Sequence, residues 1–396
     1  MSRTEVAVIG TGMTDMSRRD MTPEAMAHQA VTEAMVEAGV EPRQLAVVIV
    51  ANALGGRLCD QACIRGQSWL RKAGLGDVAV VNVDNSCAGG SSALHLGALS
   101  VAGSGRPVLV LGVEKMWTGD RGATLAGIED GLPADYRADL RSRFRLDESP
   151  NASMLMGLNA QWADQLMSER GATVEQIAAA AVKARRFASL NPLAQQHDPV
   201  SLAEVLAAPP VAGVLTRLMC SSFTDGAAAV VLAPPGRVSA RGAPRIIGSV
   251  ARTGNGEVDY HDRLGEASSA AWEDLGIDPA DVDLTEIHDA TAAEELFALE
   301  SLGFFEPGEA GPATLAGETG LGGRRVTVNP SGGLVGRGHP LGATGIAQVI
   351  ELVTHLCDRA GARQVPGARL GVAVNTGGVI EGDAAFVGIH AVVRAS

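Results

Sequence analysis

Two short stretches hold the side chains best suited to covalent acyl chemistry, and their key residues lie 252 positions apart (339 − 87). NSCAGGSSALHLGALSVAGSG begins at Asn85 and RGHPLGATGIAQVIELVTHL begins at Arg337. Each opens on a small-residue turn and continues as an Ala- and Leu-rich helix, so Cys87 and His339 occupy matching places at two helix N-termini. A thiol there meets the positive end of the helix macrodipole and unpaired backbone N–H groups. Both favour thiolate, which predicts a lowered pKa and a nucleophile at neutral pH. An imidazole in the glycine-rich turn can take the thiol proton as general base, or donate to a developing oxyanion. His288 ends a predicted strand in His288-Asp289-Ala290, where open α/β sheets place ligand-contacting groups. Its expected task is to hold a thioester carbonyl or an enolate oxygen. The three residues predict acyl transfer through an acyl-cysteine.

The elements that must position them repeat as well. GVEPRQLAVVIVANA (39–53) and GIDPADVDLTEIHDA (276–290) share one plan at an offset of 237 (276 − 39). In the first copy, Val6–Ile9 reads as a strand, and Thr22-Pro23 caps a helix that stops near Gly39. Strands are expected at Leu45–Val50, Val78–Val83, Val108–Val113 and Asp225–Ala233. In the second, strands are expected at Arg245–Val250, up to His288, at Leu370–Val374 and from Gly382. Alternating strands and helices imply two α/β halves with sheets covered on both faces. The halves are expected at 1–235 and 236–396, with the linker at Pro234–Arg245. Between about 117 and 191 the strand signal fades and charge rises, which suggests an inserted helical loop domain.

Composition narrows the possibilities. The 396 residues are 46% hydrophobic and 19% charged, enough for a substantial core. A net charge of −13 argues against nucleic-acid binding, which needs a concentrated basic face. The five cysteines make no metal-ligand pattern, so no metal is expected, and reduced thiols fit a cytoplasmic enzyme. The start MSRTEVAVIGTGMTD has no signal-peptide pattern, and no stretch approaches the ~18 apolar residues of a membrane span.

NSCAGGSSAL around Cys87, TDGAAAVVLA from Thr224, HDA at His288 and NPSGGLVGRGHPLGATG from Asn329 to Gly345 together resemble the thiolase superfamily, over essentially the whole chain. HDA, where conventional members have Asn-Glu-Ala, places the resemblance nearest the sterol-carrier-protein-type thiolases. The resemblance implies a thiolase fold, two pseudo-symmetric αβα halves forming a five-layered αβαβα structure. It implies a homodimer or homotetramer, and a coenzyme A thioester as substrate with no permanently bound cofactor. Cys87 would be acylated, His339 would activate it, and His288 with His339 would hold oxyanions. Gly377 and Gly378 correspond to the family's C-terminal glycine loop, whose backbone would line the second acyl site. Arg137, Arg141, Arg143, Arg145, Lys183, Arg185 and Arg186 of the inserted segment are candidates for coenzyme A phosphates.

One departure matters. Ordinary Claisen chemistry in this family uses a second cysteine, either in the glycine loop or directly after His-Asp. This chain has Asn375-Thr376-Gly377-Gly378 and Ala290 there. Cys220 and Cys357 are expected in the core. The leading expectation is acyl transfer from a thioester to a carbon acceptor that is already acidic, such as a phenolic ring or β-dicarbonyl. The alternatives are conventional 3-ketoacyl-CoA thiolysis, decarboxylating condensation of the ketosynthase kind, a retro-aldolase working with a small OB-fold and zinc-ribbon partner, and a non-catalytic acyl-CoA-binding subunit.

Overall fold

The structure is a computed structural model that describes residues 5–17, 20–144, 153–237 and 241–395. The first half runs β1 (Val6–Met13), α1 (Pro23–Ala38), β2 (Val48–Ala51), the short helices α2 (Gly55–Leu58) and α3 (Arg65–Leu70), β3 (Val80–Val83), α4 (Gly89–Ser104) and β4 (Val108–Glu114). A helical stretch follows with α5 (Arg121–Glu129), α6 (Ala134–Arg143), α7 (Met154–Arg170), α8 (Val174–Ser189) and α9 (Leu202–Ala207). The ribbon β5 (Pro210–Ala212) and β6 (Leu215–Thr216) leads into β7 (Gly226–Ala233). The second half runs β8 (Arg245–Arg252), α10 (Tyr260–Leu275), β9 (Leu284–Glu286), α11 (Ala292–Ser301), α12 (Ala310–Leu315), β10 (Thr327–Val328), α13 (Gly333–Gly336), α14 (Leu341–Leu356), β11 (Leu370–Ile380) and β12 (Asp383–Val393).

Local sequence explains the helix ends. Thr22 accepts from the Ala25 amide with Pro23 at the first helical position, and Gly39 closes α1 in the left-handed conformation. In the second copy Asp259 caps α10 and left-handed Gly276 closes it. Both helices have 16 residues and start 237 apart (260 − 23). The helices α4 and α14 also match in length, at an offset of 252 (341 − 89).

The duplication is visible in the sheet order, β10-β9-β11-β12-β8-β1-β7-β4-β2-β3. Read outward from the centre, β1-β7-β4-β2-β3 and β8-β12-β11-β9-β10 are the same arrangement. The outer three strands of each half are parallel and the inner pairings antiparallel. The halves join between β1 and β8 through the pairs Val6↔Ile246 and Ala7↔Arg245. Helix α1 covers the outer face of the first half and α10 that of the second, while α4 and α14 lie against each other and touch strands of both halves. The layering is αβαβα.

Position sets composition here. Leu341–Val353 of α14 is buried on every side, as expected of a helix apolar all round. Small residues let α4 and α14 cross closely. A Cβ on Gly345 would lie 2.5 Å from the Ser91 amide nitrogen, and one on Gly90 would lie 2.8 Å from the Gly342 carbonyl. The first turns of the two helices therefore touch, which brings Cys87 toward His339. Among the described residues no helix is long and apolar enough to cross a membrane.

Candidate active site

Cys87 sits in a tight turn, Ser86–Ala88, between β3 and α4. Ser86 adopts a φ of 49°, a left-handed conformation costly for a residue with a side chain. Neighbours hold the turn: Asp84 accepts from the Ser86 amide, Asn85 donates to the Ser92 hydroxyl at 2.8 Å, and Ser92 donates to the Ala88 carbonyl. Strand β11 presses on it directly. A Cβ on Gly377 would come within 2.4 Å of the Ala88 nitrogen and the Asn85 oxygen, so only glycine allows the approach. The expected glycine loop is in fact strand, because β11 pairs with β12 through Gly377 and on to Ile380.

The three candidate side chains converge. One ring nitrogen each of His288 and His339 and the Cys87 sulfur all lie within 4.8 Å of one another. The two imidazoles meet edge to face, with centroids 5.0 Å apart. They line a cavity of about 690 Å³ together with Cys87, Ala290, Gly377 and Gly378.

The hydrogen bonds assign each ring a different task. The Thr344 hydroxyl donates its one hydrogen to the Pro340 carbonyl at 3.0 Å. It must then accept from His339 Nδ1 at 2.7 Å, which leaves His339 Nε2 as a lone-pair base. His288 Nδ1 instead accepts from the Asn375 amide at 2.9 Å, so its Nε2 carries the hydrogen and is a donor. One ring can take a proton while the other holds a negative oxygen.

Burial keeps both rings neutral. His288 is held down at about 3 by desolvation. His339 is pushed well below the usual imidazole range by desolvation, with His288 and Arg337 adding to it. Cys87 departs from expectation: desolvation, with the Glu114 charge, pushes it up to about 11 against a weaker hydrogen bond from Ser86. The helix N-terminus is outweighed, and the resting pair is thiol and imidazole. Iodoacetamide labelling of Cys87 in the free protein, followed by peptide mass, should therefore speed up steadily from about pH 7 to about pH 10. A plateau below about pH 8 would instead reveal a thiolate–imidazolium pair.

The glycine-rich motif around His339 is anchored by a buried polar network. Glu286 accepts from the Ser331 amide and hydroxyl at 2.9 and 2.7 Å, and fully buried Arg337 reaches Glu286 and Ser331. Asn329 accepts from the Ile287 amide, and Asp289 from the Leu334 amide. These bonds fix the His288 strand end against the His339 turn. Glu114, at the end of β4, does the same for the first half by accepting from the Ala53, Leu54 and Gly342 amides. Its carboxyl is pushed up to about 7 by burial. No motif marked it; its signal was an acid ending an apolar strand.

Other candidates are redistributed. Lys183 is turned inward onto Glu295 at 2.6 Å, and Arg185 donates to the Asp198 carbonyl. Arg137 pairs with Asp130 and Arg143 with Asp139, Arg186 is exposed, and Arg145 lies outside the described residues. The exposed Arg121 and Arg217 line the cavity instead. Cys220, expected in the core, lines the cavity too, with its thiol directed at the Thr216 carbonyl and pushed up to about 12 by burial. Cys59 and Cys63 are not among the cavity-lining residues.

Known proteins match this arrangement along most of the chain. Residues 6–206 match the family described as thiolase, N-terminal domain, and residues 259–388 match thiolase C-terminal domain-like. An acetyl-CoA acetyltransferase of Methanothermobacter thermautotrophicus is 36% identical, covering 94% of this chain and 96% of that protein. Rabbit (Oryctolagus cuniculus) sterol carrier protein 2 is 33% identical over 94% of this chain and 70% of its own length. Among solved structures, an Ltp2-ChsH2(DUF35) aldolase superposes with a TM-score of 0.81 over 99% of this chain and 98% of that one. At 20% identity that likeness speaks for the fold alone. With both family domains in sequence order and relatives aligned nearly end to end, the chain belongs to the thiolase family.

Proposed function

We infer that the protein is an acyltransferase that carries its acyl group on Cys87, taking it from an acyl-CoA or related thioester and passing it to a carbon acceptor. The observation that carries this reading is one thiol and two imidazoles in one cavity, with hydrogen-bond partners that assign the rings opposite tautomers. His339 Nε2 takes the Cys87 proton as sulfur adds to the thioester carbonyl. His288 Nε2–H donates to the oxygen that becomes negative. Collapse expels the coenzyme A thiolate, which recovers the proton from His339, and leaves acyl-Cys87. The acceptor carbanion then attacks the acyl carbonyl and releases Cys87.

Intact-mass measurement after mixing with acetyl-CoA and longer acyl-CoA donors tests the reading. An acyl adduct mapped to Cys87 is expected, and its absence with every donor would sink it. The solved aldolase neighbour is an assembly with a DUF35 protein. On the family resemblance, a cytoplasmic homodimer or homotetramer able to take a small OB-fold and zinc-ribbon partner subunit is proposed. Light scattering on the purified chain, alone and with such a partner, reads the copy number.

A further inference from the structure

The family's second thiol is missing from both of its places, yet the wall that would hold it is not inert. Ala290, Thr376 and Gly377 line the cavity beside two ionisable side chains outside every motif, Tyr260 and Glu294. Tyr260 begins α10, and its phenol shares a hydrogen bond with the Thr376 hydroxyl at 2.5 Å. Thr376 follows Asn375, the residue that orients His288. Glu294 lies in the first turn of α11, four residues beyond Ala290, where the helix N-terminus favours negative charge. Thr291-x-x-Glu294 has the form of a capping box, and Thr291 does accept from the Glu294 amide. The Glu294 side chain is instead committed to the cavity wall, where it accepts from His261 Nε2 at 3.1 Å. It is 3% exposed.

The phenol and the carboxylate are neighbours on the cavity wall, joined by a side-chain hydrogen bond. Burial first, and the adjacent Glu294 charge next, hold its pKa well above the ordinary value, and Cys87 contributes in the same direction. The ring is fixed by stacking on Trp162, with centroids 4.5 Å apart. His261, which supplies Glu294 with a hydrogen, is fixed by stacking on Phe297 at 3.6 Å. A carboxylate with a rigid donor on one side and a cavity-lining phenol hydrogen-bonded to it on the other can accept a proton through that hydroxyl.

Resting on the acyl-Cys87 reading, we propose that Glu294, acting through the Tyr260 hydroxyl, is the acid/base that moves the proton at the acceptor carbon, in place of the absent cysteine. In condensation, the Tyr260 oxygen takes the proton from the carbon α to the acceptor's carbonyl while its own hydrogen passes to Glu294. The C–H electron pair goes into the enolate, which attacks acyl-Cys87. The new C–C bond forms as the C–S bond breaks, and sulfur leaves with its pair. In cleavage the steps reverse. Protonated Glu294 resupplies Tyr260 as the phenol gives its proton to C2 of the departing acyl-CoA. Cys220 is the rival on the same wall, but its thiol is spent on the Thr216 carbonyl.

Matched donors separate this step from acylation itself. Acetyl-CoA and acetoacetyl-CoA both yield acetyl-Cys87, and hexanoyl-CoA and 3-oxo-octanoyl-CoA both yield hexanoyl-Cys87. The plain thioesters expel a thiolate, whereas the ketoacyl donors expel a carbanion that must be protonated. Glu294→Gln should slow acylation from the ketoacyl donors ~10²- to 10³-fold and leave acylation from the plain donors within about threefold. Tyr260→Phe should show the same split, at ~10-fold or more. The plain-donor arm doubles as the check on folding, and Tyr260→Phe carries the test if Glu294→Gln does not fold. Equal losses from both donor types would overturn the proposal, as would a split produced by Cys220→Ala and by neither of the other variants. A wild-type enzyme acylated only by plain donors would also overturn it, while leaving the acyl-cysteine reading in place. No adduct from any donor would remove that reading itself.

Discussion

Cys87→Ala should remove acyl transfer altogether, lowering turnover by at least ~10⁴-fold, and should take up no acyl mass from any donor. The expectation follows from the site's geometry. The Cys87 sulfur and one nitrogen of each imidazole lie within 4.8 Å of one another. The other thiol on the wall, Cys220, is directed at a backbone carbonyl and held protonated by burial. No side chain can take over the covalent step. The substitution trims a single sulfur from a turn held by Asn85, Ser92 and the pressing backbone of Gly377, so the fold should survive. Substrate binding should survive too, and a ligand-detected affinity for acyl-CoA that persists in Cys87→Ala would confirm a chemical loss. Residual turnover within about tenfold of wild type would rule out the acyl-cysteine path.

The second large effect is at His339. His339→Ala should reduce acylation of Cys87 by ~10²- to 10⁴-fold, because the half-buried thiol then has no base to receive its proton. The sign of the pH dependence follows from the same directions. His339 is held well below its usual range, so it stays a neutral base across neutral pH, and Cys87 is pushed up to about 11. In the variant, acylation should rise roughly tenfold per pH unit through the neutral range, as hydroxide in solution replaces the missing base. His288→Ala should behave differently. Its loss of an oxyanion donor should cost ~10²- to 10³-fold in acyl transfer, yet leave iodoacetamide labelling of Cys87 unchanged, since alkylation builds no oxyanion. Rapid-quench acylation and alkylation rates measured side by side distinguish the two roles. Equal losses in both assays for both variants would mean that the rings act only as packing.

Much of this molecule was legible along the chain because the relevant physics is local. A threonine before a proline starts α1, and a glycine able to turn left-handed ends it; those preferences belong to the residues themselves. The same holds for the repeat. Equal spacings of cap, turn and apolar run recur 237 and 252 residues on, and the folded strand order repeats with them. The meeting of Cys87, His288 and His339 could be anticipated because each stands at the end of an element where such folds place ligand-contacting groups.

What the chain could not disclose depends on which surfaces are removed from water and on contacts between distant segments. The helix N-terminus argued for an acidic thiol at Cys87, but burial and the charge of Glu114, brought in from β4, reverse the sign. The family resemblance implies a loop at Gly377 and Gly378, yet both lie within β11, where Gly377 pairs with Phe386 and Gly378 takes a left-handed φ between paired neighbours. Lys183 and Arg185 read as free cations until α8 packed and turned them onto Glu295 and Asp198. Cys220, Tyr260 and Glu294 carry no motif, and only the packing of three separate segments sets them on one cavity wall. By itself the sequence determined the repeated scaffold and the places of one thiol and two imidazoles at element ends, through backbone preferences and spacing. The tertiary structure alone decided the protonation of that thiol and the groups facing it, because desolvation and side-chain direction are set by neighbours far away in the chain.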